Sequence, residues 1–278
     1  MTLILNLVTR SHVLQASDMR LTMVNAQGQF GRVASEAAVK AVFVDHQIFF
    51  GFTGIATIAK LPAAEWFAEA LANLHELPFQ DRLVEICRRF NIQWSFLPKE
   101  FQAVPHAFVG VGWAPLVPNG EIGSLMVDVS NFKMVDVPVI NPAGFEVRIQ
   151  TNPTGGIVLQ PYGAAVPAWL IAEAKKNIRK IDRSEAGAIS LGRILINLLL
   201  QVADKDQSVG TKVILCSYPR RVFKQEYASE YKAFVFNVPN DQSASFDYID
   251  HEAARRVGFV PVYVSGGTVM SGMKCGHL

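Results

Sequence analysis

The sequence predicts an α+β fold in which two antiparallel β-sheets are flanked by α-helices. Short apolar runs alternate with stretches of helical periodicity, in the order strands, two helices, strands, two helices, strand. Several of the short runs are apolar at consecutive positions, which indicates strands that are buried on both faces. Helix pairs inserted between groups of strands suit stacked sheets with helices outside, so we predict a four-layer αββα sandwich.

Each element follows from local composition and periodicity. Apolar runs bounded by polar or turn residues predict strands at 3–8, 12–17, 40–44, 47–52, 106–112, 122–129, 133–140 and 211–217. Apolar positions that recur at helical spacing predict helices at about 55–75, 80–90, 165–179 and 186–203. Clusters of proline and glycine predict loops at 113–121 and 141–156.

The domain organisation is predicted from chain length and from the tail. A chain of 278 residues is long enough to bury the core of one large domain. We expect residues 1–224 to form that domain. Residues 225–278 mix strand-like runs with polar turns, and they predict either a C-terminal extension of the sheets or a small appendage.

Composition narrows the classes of function. Half of the residues are hydrophobic, 18% are charged and the mean hydropathy is +0.21, which indicates a folded chain with much buried or interfacial surface. A formal net charge of +2 gives no general attraction to nucleic acid or to an acidic membrane, so we expect neither as a partner. The longest apolar stretch, 194–202, is too short to span a bilayer.

The N-terminal segment and the cysteines predict a cytoplasmic protein. No basic region precedes the first apolar run, so we expect no signal peptide. Cys87, Cys216 and Cys275 cannot all pair and lack the spacing of a zinc site, which favours a reducing compartment. Cys275 and His277 offer only two ligands in the tail, so we expect no metal there, and we expect no cofactor.

Thr2 is the first candidate catalytic residue. It directly follows the initiator methionine, whose removal is permitted when a small residue comes next. A threonine hydroxyl is a weak nucleophile unless a base lies beside it. A free α-amino group on the same residue has a pKa of about 8 and can be that base at neutral pH.

A set of residues at defined spacing follows Thr2. An Asp-x-Arg-x-Thr-x-x-Asn pattern runs from the end of the second predicted strand, a lysine starts the next hairpin, and a glycine follows it. These positions resemble the proteasome β-subunit family of N-terminal-nucleophile hydrolases, and the chain looks like a divergent bacterial-type member. The residues that match are Thr2, Asp18, Arg20, Thr22, Asn25, Lys40 and Gly54. The resemblance implies that the sandwich is of the N-terminal-nucleophile hydrolase type.

The resemblance also implies catalytic roles. Lys40 would lie beside Thr2 and raise the positive potential there, which eases deprotonation of the hydroxyl. Asp18 would pair with Lys40, because an unpaired buried ammonium is costly. The backbone N–H of Gly54, at the start of the first helix, would donate to the oxyanion of a tetrahedral intermediate.

Substrate-binding and supporting residues are implied in the same way. Thr22 would hold an extended peptide as an added strand, with Arg20 bracing the strand end, and Thr53 is a further substrate-binding candidate. Ser208 is the expected supporting serine, and either Asp206 or Asp204 is its partner. Ala164 occupies the position of a second supporting serine.

The expected function is therefore a threonine-type amidohydrolase, most simply a peptidase acting through an acyl-enzyme on Thr2. The implied partners are a peptide or unfolded-protein substrate, further copies in a homo-oligomeric ring, and a separate unfolding ATPase. Two alternatives stay open. Ala164 and the long 26–39 loop suit a weakly active or inactive scaffold subunit, and the same loop would suit an amidase for small N-acyl compounds.

Overall fold

A computed structural model describes most of the chain. The residues that it describes are 2–24, 30–35, 38, 40–45, 47–54, 56–116, 121–133, 139–152, 156–182, 188–220, 232–237, 262–265 and 267–270. The fold within these ranges is mixed α/β with several antiparallel sheets, which confirms the coarse part of the predicted fold class.

The strands and helices are numbered in chain order. The strands are β1 Leu3–Val8, β2 His12–Asp18, β3 Leu21–Val24, β4 Phe30–Ser35, β5 Ala41–Val44, β6 Ile48–Thr53, β7 Thr57–Ile58, β8 Leu61–Pro62, β9 Ala107–Leu116, β10 Glu121–Ser130, β11 Phe132–Lys133, β12 Val139–Ile140, β13 Glu146–Asn152, β14 Val158–Gly163, β15 Lys212–Pro219, β16 Lys232–Asn237, β17 Val262–Ser265 and β18 Thr268–Met270. The helices are α1 Ala63–Ala72, α2 Phe79–Ser95, α3 Lys99–Gln102, α4 Ala168–Asp182 and α5 Ala188–Ala203.

Two sheets form the framework. The smaller has the order β14-β1-β2-β15-β16 and is antiparallel throughout. The larger has the order β13-β10-β9-β6-β5-β17-β18, in which β5 and β17 are the parallel pair. Short two-stranded pairs are formed by β3 with β4, β7 with β8, and β11 with β12.

The core lies between the two sheets and beneath the helices. One apolar cluster joins Val8 and Ile214 of the smaller sheet to Phe49 and Val111 of the larger, so these faces pack against each other. A second cluster buries α1 and α2 on the larger sheet, and a third buries α4 and α5 on the smaller. Aromatic contacts reinforce the second cluster; the rings of Phe67 and Phe108 stack with their centroids 4.5 Å apart.

Strand register determines where the candidate site forms. Ile4 pairs with Ser17, so the start of β1 and the end of β2 lie at the same end of the smaller sheet. Ala41 pairs with Gly51, so the start of β5 and the end of β6 likewise lie together in the larger sheet. Residues 2, 18, 40 and 53 therefore stand at the ends of paired strands.

The first helix differs from the prediction. It begins at Ala63 rather than near Ile55, because Pro62 has no backbone N–H and a helix starts immediately after it. Residues 57–62 instead form the β7–β8 hairpin, whose turn places Ala59 and Lys60 at positive φ. The second helix runs on to Ser95, since Trp94 continues the buried face of Phe90 one turn later.

One strand lies where a loop was predicted, and a second lies where no element was predicted. Residues 146–152 form β13 and residues 158–163 form β14, and each is the first strand at the edge of its sheet. The edge position explains why the pattern was missed: β13 is half-exposed and rich in polar residues, and β14 contains Pro161, which an edge strand tolerates. The described ends of the predicted strand 133–140 lie in the β11–β12 pair, and 134–138 lie outside the described residues.

The described parts of the tail add strands to both sheets. β16 pairs with β15 in the smaller sheet, while β17 pairs with β5 in the larger. Across all described residues, none of the helices has both the length and the apolar character needed to cross a membrane.

Candidate active site

Four strand ends bring the candidate residues together. Thr2 precedes β1 and Asp18 ends β2 in the smaller sheet, while Lys40 precedes β5 and Thr53 ends β6 in the larger. All four residues are buried; Asp18 and Lys40 have no solvent exposure at all, and Thr2 is 6% exposed. Polar groups that are enclosed to this degree need partners, so their contacts define the site.

Asp18 is held by backbone donors from three segments. Its Oδ1 accepts from Leu3 N at 2.8 Å, and its Oδ2 accepts from Gly210 N at 3.0 Å and from Arg20 N at 3.2 Å. These bonds join the start of β1, the turn after β2 and the loop before β15. The carboxylate thereby fixes the position of the N-terminal segment.

Lys40 connects Asp18 to Thr2. Its Nζ lies 3.6 Å from Asp18 Oδ2 and donates to Thr2 Oγ1 at 2.6 Å. It also donates to the backbone carbonyl of Arg20. The ammonium is therefore surrounded by oxygen atoms, and one of them is the hydroxyl that was assigned as the nucleophile.

Burial dominates the electrostatics of this pair. It raises the pKa of the Asp18 carboxyl above its usual value, while the Lys40 ammonium and the three backbone N–H groups act in the opposite direction. An exposed salt bridge would cost little to form and would contribute little. A fully enclosed pair is costly to desolvate, and removal of one partner leaves the other charge buried without a counter-charge. Asp18 and Lys40 therefore form a buried ion pair and not a surface salt bridge.

The Thr2 carbonyl is held by residues other than those that contact the Thr2 hydroxyl. It accepts from Ala164 N at 3.0 Å, and Thr53 Oγ1 lies 3.4 Å from it. Gly163 makes this approach possible: its φ is +93°, and a Cβ there would lie 1.8 Å from the Thr2 carbonyl oxygen. Thr53 thus contacts the Thr2 backbone, rather than only flanking a substrate strand as expected.

Ser208 is paired with Asp206. The Asp206 Oδ1 accepts from Ser208 N at 2.9 Å and from Ser208 Oγ at 2.6 Å, whereas Asp204 is exposed. Among the described residues, the Ser208 hydroxyl has no hydrogen bond to Thr2. Ala164 contributes its backbone N–H but no hydroxyl, so it supports Thr2 only through the main chain.

Gly54 does not open a helix, which corrects the expected oxyanion geometry. It follows β6 in an exposed bend with φ of +95°, nine residues before α1 begins. No helix dipole therefore acts at its N–H. A Cβ at Gly54 would lie 2.0 Å from His106 Nδ1, so the imidazole packs directly against this bend.

The predicted substrate strand is paired by the long loop that follows it. Thr22 of β3 lies opposite Val33 of β4, so residues 30–35 form a hairpin with the strand instead of an open loop. Arg20 braces this region, because its guanidinium donates to the Gln207 carbonyl. Asn25 lies outside the described residues.

Sequence reasoning missed the main-chain parts of the site. The N–H groups of Leu3 and Gly210 that hold Asp18 carry no residue signature, since any non-proline residue can donate. Gly163 and His106 were not assigned because each is a single residue of a common type at a strand boundary. Their roles follow only from the three-dimensional approach of other segments.

Other reactive groups lie away from this cluster. Cys87 and Cys216 are buried, and burial raises the pKa of the Cys87 thiol to about 11, which leaves it protonated at neutral pH. Within the described ranges, no three histidine, cysteine or acidic side chains are grouped as metal ligands. Cys275 and His277 lie outside those ranges.

Comparison with known proteins gives no assignment. No protein-family model matches the chain, and no curated protein matches it.

The buried pair leads to a stability prediction. We expect Lys40→Met to lower the free energy of unfolding by about 3–5 kcal/mol, because the Asp18 carboxylate is left without its counter-charge. Urea denaturation at pH 7 measures this. Lys176→Met, an exposed change on α4, is the control and should stay within about 0.5 kcal/mol of wild type.

The double variant Lys40→Met/Asp18→Asn removes both charges, and it should recover part of the Lys40→Met loss. Equal stability of Lys40→Met and Lys176→Met would contradict the buried ion pair.

His106 leads to a pH prediction. Its Nε2 donates to the Phe101 carbonyl at 3.0 Å, and burial lowers its pKa from 6.5 to about 4. Between these values the unfolded chain takes up a proton that the folded chain does not. The contribution of the neutral His106 to the free energy of unfolding is therefore fully present above about pH 6.5. It is lost, by about 3 kcal/mol in total, as the pH drops to about 4.

Urea denaturation between pH 7 and pH 4 measures this loss. The His106→Gln variant should not show this decrease in the free energy of unfolding between pH 6.5 and pH 4. The His75→Gln variant, which removes an exposed imidazole, should still show it. Identical pH profiles for wild type and His106→Gln would show that the buried imidazole does not titrate in this way.

Proposed function

We propose that this chain is a threonine-type amidohydrolase of the proteasome β-subunit kind, with Thr2 as the nucleophile after Met1 is removed. The observation that carries the proposal is the 2.6 Å contact between Lys40 Nζ and Thr2 Oγ1 inside a fully buried lysine–aspartate pair. A buried ammonium directed at a hydroxyl favours the alkoxide form of that hydroxyl.

The direction of the hydrogen bond suits the reaction. Lys40 donates to Thr2 Oγ1, so the hydroxyl proton is left for another acceptor. In a chain without Met1, the neutral Thr2 amine can accept that proton, since its pKa is about 8. With Met1 attached, the same nitrogen is an amide and has no basic lone pair. Removal of Met1 is thus a requirement of the mechanism.

The steps follow from these groups. Thr2 Oγ1 attacks the carbonyl carbon of the substrate amide while its proton passes to the Thr2 amine. The resulting ammonium gives a proton to the leaving nitrogen, the C–N bond breaks, and an ester to Thr2 remains. Water activated by the same amine then cleaves the ester and restores the hydroxyl. Lys40 stays protonated throughout, and Asp18 balances its charge.

Substrate could be held beside β3. Its edge opposite β4 has no partner strand among the described residues, and an extended peptide can pair with such an edge. The N–H of Gly54 is the proposed donor to the oxyanion, with the packed His106 ring fixing the bend. Ser208, held by Asp206, supplies a hydroxyl in the loop that also holds Asp18.

The fold supports the same class. Helix pairs on the outer faces of two facing sheets are the arrangement expected for a four-layer sandwich of the N-terminal-nucleophile type. Ring assembly and a companion unfolding ATPase stay predictions of the resemblance.

Two observations favour second candidates. Ala164 has no hydroxyl to assist near Thr2, which suits a weakly active scaffold subunit. The β3–β4 hairpin adds bulk beside the substrate strand, which suits small N-acyl substrates rather than long peptides.

A substrate panel tests these candidates together. Fluorogenic N-acyl peptides and small N-acyl amides are offered to the purified wild type, to Thr2→Ala and to Thr2→Ser. We expect peptide hydrolysis by the wild type, a loss of at least about 10³-fold in Thr2→Ala, and measurable activity in Thr2→Ser, which keeps a hydroxyl and an amine.

Other outcomes of the substrate panel would favour one of the alternative functions or exclude Thr2. Hydrolysis of only the small amides would favour the small-amide enzyme. Inactivity on both classes would favour the scaffold. Undiminished activity in Thr2→Ala would remove Thr2 from the mechanism.

A further inference from the structure

A cavity of about 370 Å³ lies between α4 and the end of α5. One wall is formed by Ala165 and Pro167, which precede α4, and by Leu170 of α4. The other wall includes Val202 of α5 and Asp206 of the loop that follows it. The volume is sufficient for a side chain together with part of its backbone.

The residues of both walls are close in sequence to residues that contact Thr2 or Asp18. Ala165 directly follows Ala164, whose N–H donates to the Thr2 carbonyl at 3.0 Å. Asp206 accepts from Ser208, and the next residues along this loop reach Asp18 through Gly210 N. The cavity therefore adjoins the Thr2 cluster through two independent chain connections.

The cavity is separate from the proposed substrate strand. The acyl portion of a substrate would pair along β3, which has β4 and not α4 or α5 as its partner. The portion beyond the scissile bond then needs space on another flank of Thr2. The cavity between α4 and α5 is a candidate for this space, because Ala165 in its wall directly follows the residue that holds the Thr2 carbonyl.

The residues that line the cavity determine which side chain of the substrate can bind there. The side chains of Ala165, Pro167, Leu170 and Val202 are apolar. The two charged groups at the cavity already have partners: Lys205 Nζ lies 5.6 Å from the centroid of the Trp169 ring, and Asp206 is bonded to Ser208. Gln201 and Gln207 also line the cavity, but the larger part of its accessible surface is apolar.

We propose that this cavity binds the leaving-group side of the amide substrate and selects an apolar side chain directly after the scissile bond. This inference rests on the proposed hydrolase function. It assigns a specificity role to α4 and α5, which otherwise only cover the smaller sheet.

Matched substrates and a cavity-filling variant test the inference. Two internally quenched peptides share one acyl sequence and differ only in the residue after the scissile bond, leucine or glycine. For the wild type we expect kcat/KM to be at least about 10-fold higher for the leucine peptide, because an apolar side chain is removed from water. Gln201→Trp, at the exposed rim of the cavity, should lower the leucine rate towards the glycine rate and leave the glycine rate unchanged.

Asn197→Trp is the matched control, since Asn197 is exposed one turn earlier on α5 and does not line the cavity. It should leave the preference for leucine intact. A second measurement needs no turnover: the dipeptide Leu-Gly, but not Gly-Gly, should bind Thr2→Ala in saturation-transfer NMR, and Gln201→Trp added to that variant should abolish the signal.

The failures are distinguishable. Hydrolysis of both peptides at equal rates, or a leucine preference that survives Gln201→Trp, would overturn this inference and leave the hydrolase function standing. An absence of hydrolysis of any amide would overturn the proposed function and this inference with it.

Discussion

The buried contact between Lys40 and Asp18 is the constraint on which the rest of the site depends. Neither side chain touches solvent, so each charge can be kept only if the other is held within reach. Lys40 precedes a strand of the larger sheet and Asp18 ends a strand of the smaller one. The two sheets must therefore face each other with these strand ends at the same end of the molecule. The apolar cluster between the sheets supplies the packing that maintains this arrangement.

The same constraint sets the position of Thr2. Its hydroxyl receives the Lys40 hydrogen bond, while its carbonyl is held by the main chain at Ala164 and by the absence of a side chain at Gly163. Hydrogen bonds on both sides leave the residue little freedom to rotate. If Thr2 is the nucleophile, as we propose, it needs no rearrangement before reaction, which is the condition under which electrostatic stabilisation is most effective.

The proximity of side chains was predicted from the sequence more successfully than backbone geometry. The resemblance carried by Thr2, Asp18 and Lys40 implied a cluster, and the structure brings these three side chains together. The prediction that the first helix starts at Gly54 was wrong, because the helix begins only after Pro62 and a short hairpin precedes it. The edge strands β13 and β14 were missed since half-exposed strands lack a clear apolar alternation. Contacts made through backbone N–H groups, such as those to Asp18, leave no pattern in the sequence at all.

The intact mass of the purified protein, measured before and after treatment with a peptide epoxyketone, tests the central claim most directly. This probe forms bonds to both the hydroxyl and the amine of an N-terminal threonine, so it requires both groups on one residue. We expect a wild-type chain that lacks Met1 and gains the mass of one probe, and a Thr2→Ala chain that lacks Met1 and gains none. A wild-type chain that retains Met1 would contradict the account, because the Thr2 nitrogen would then be an amide and could not act as the base.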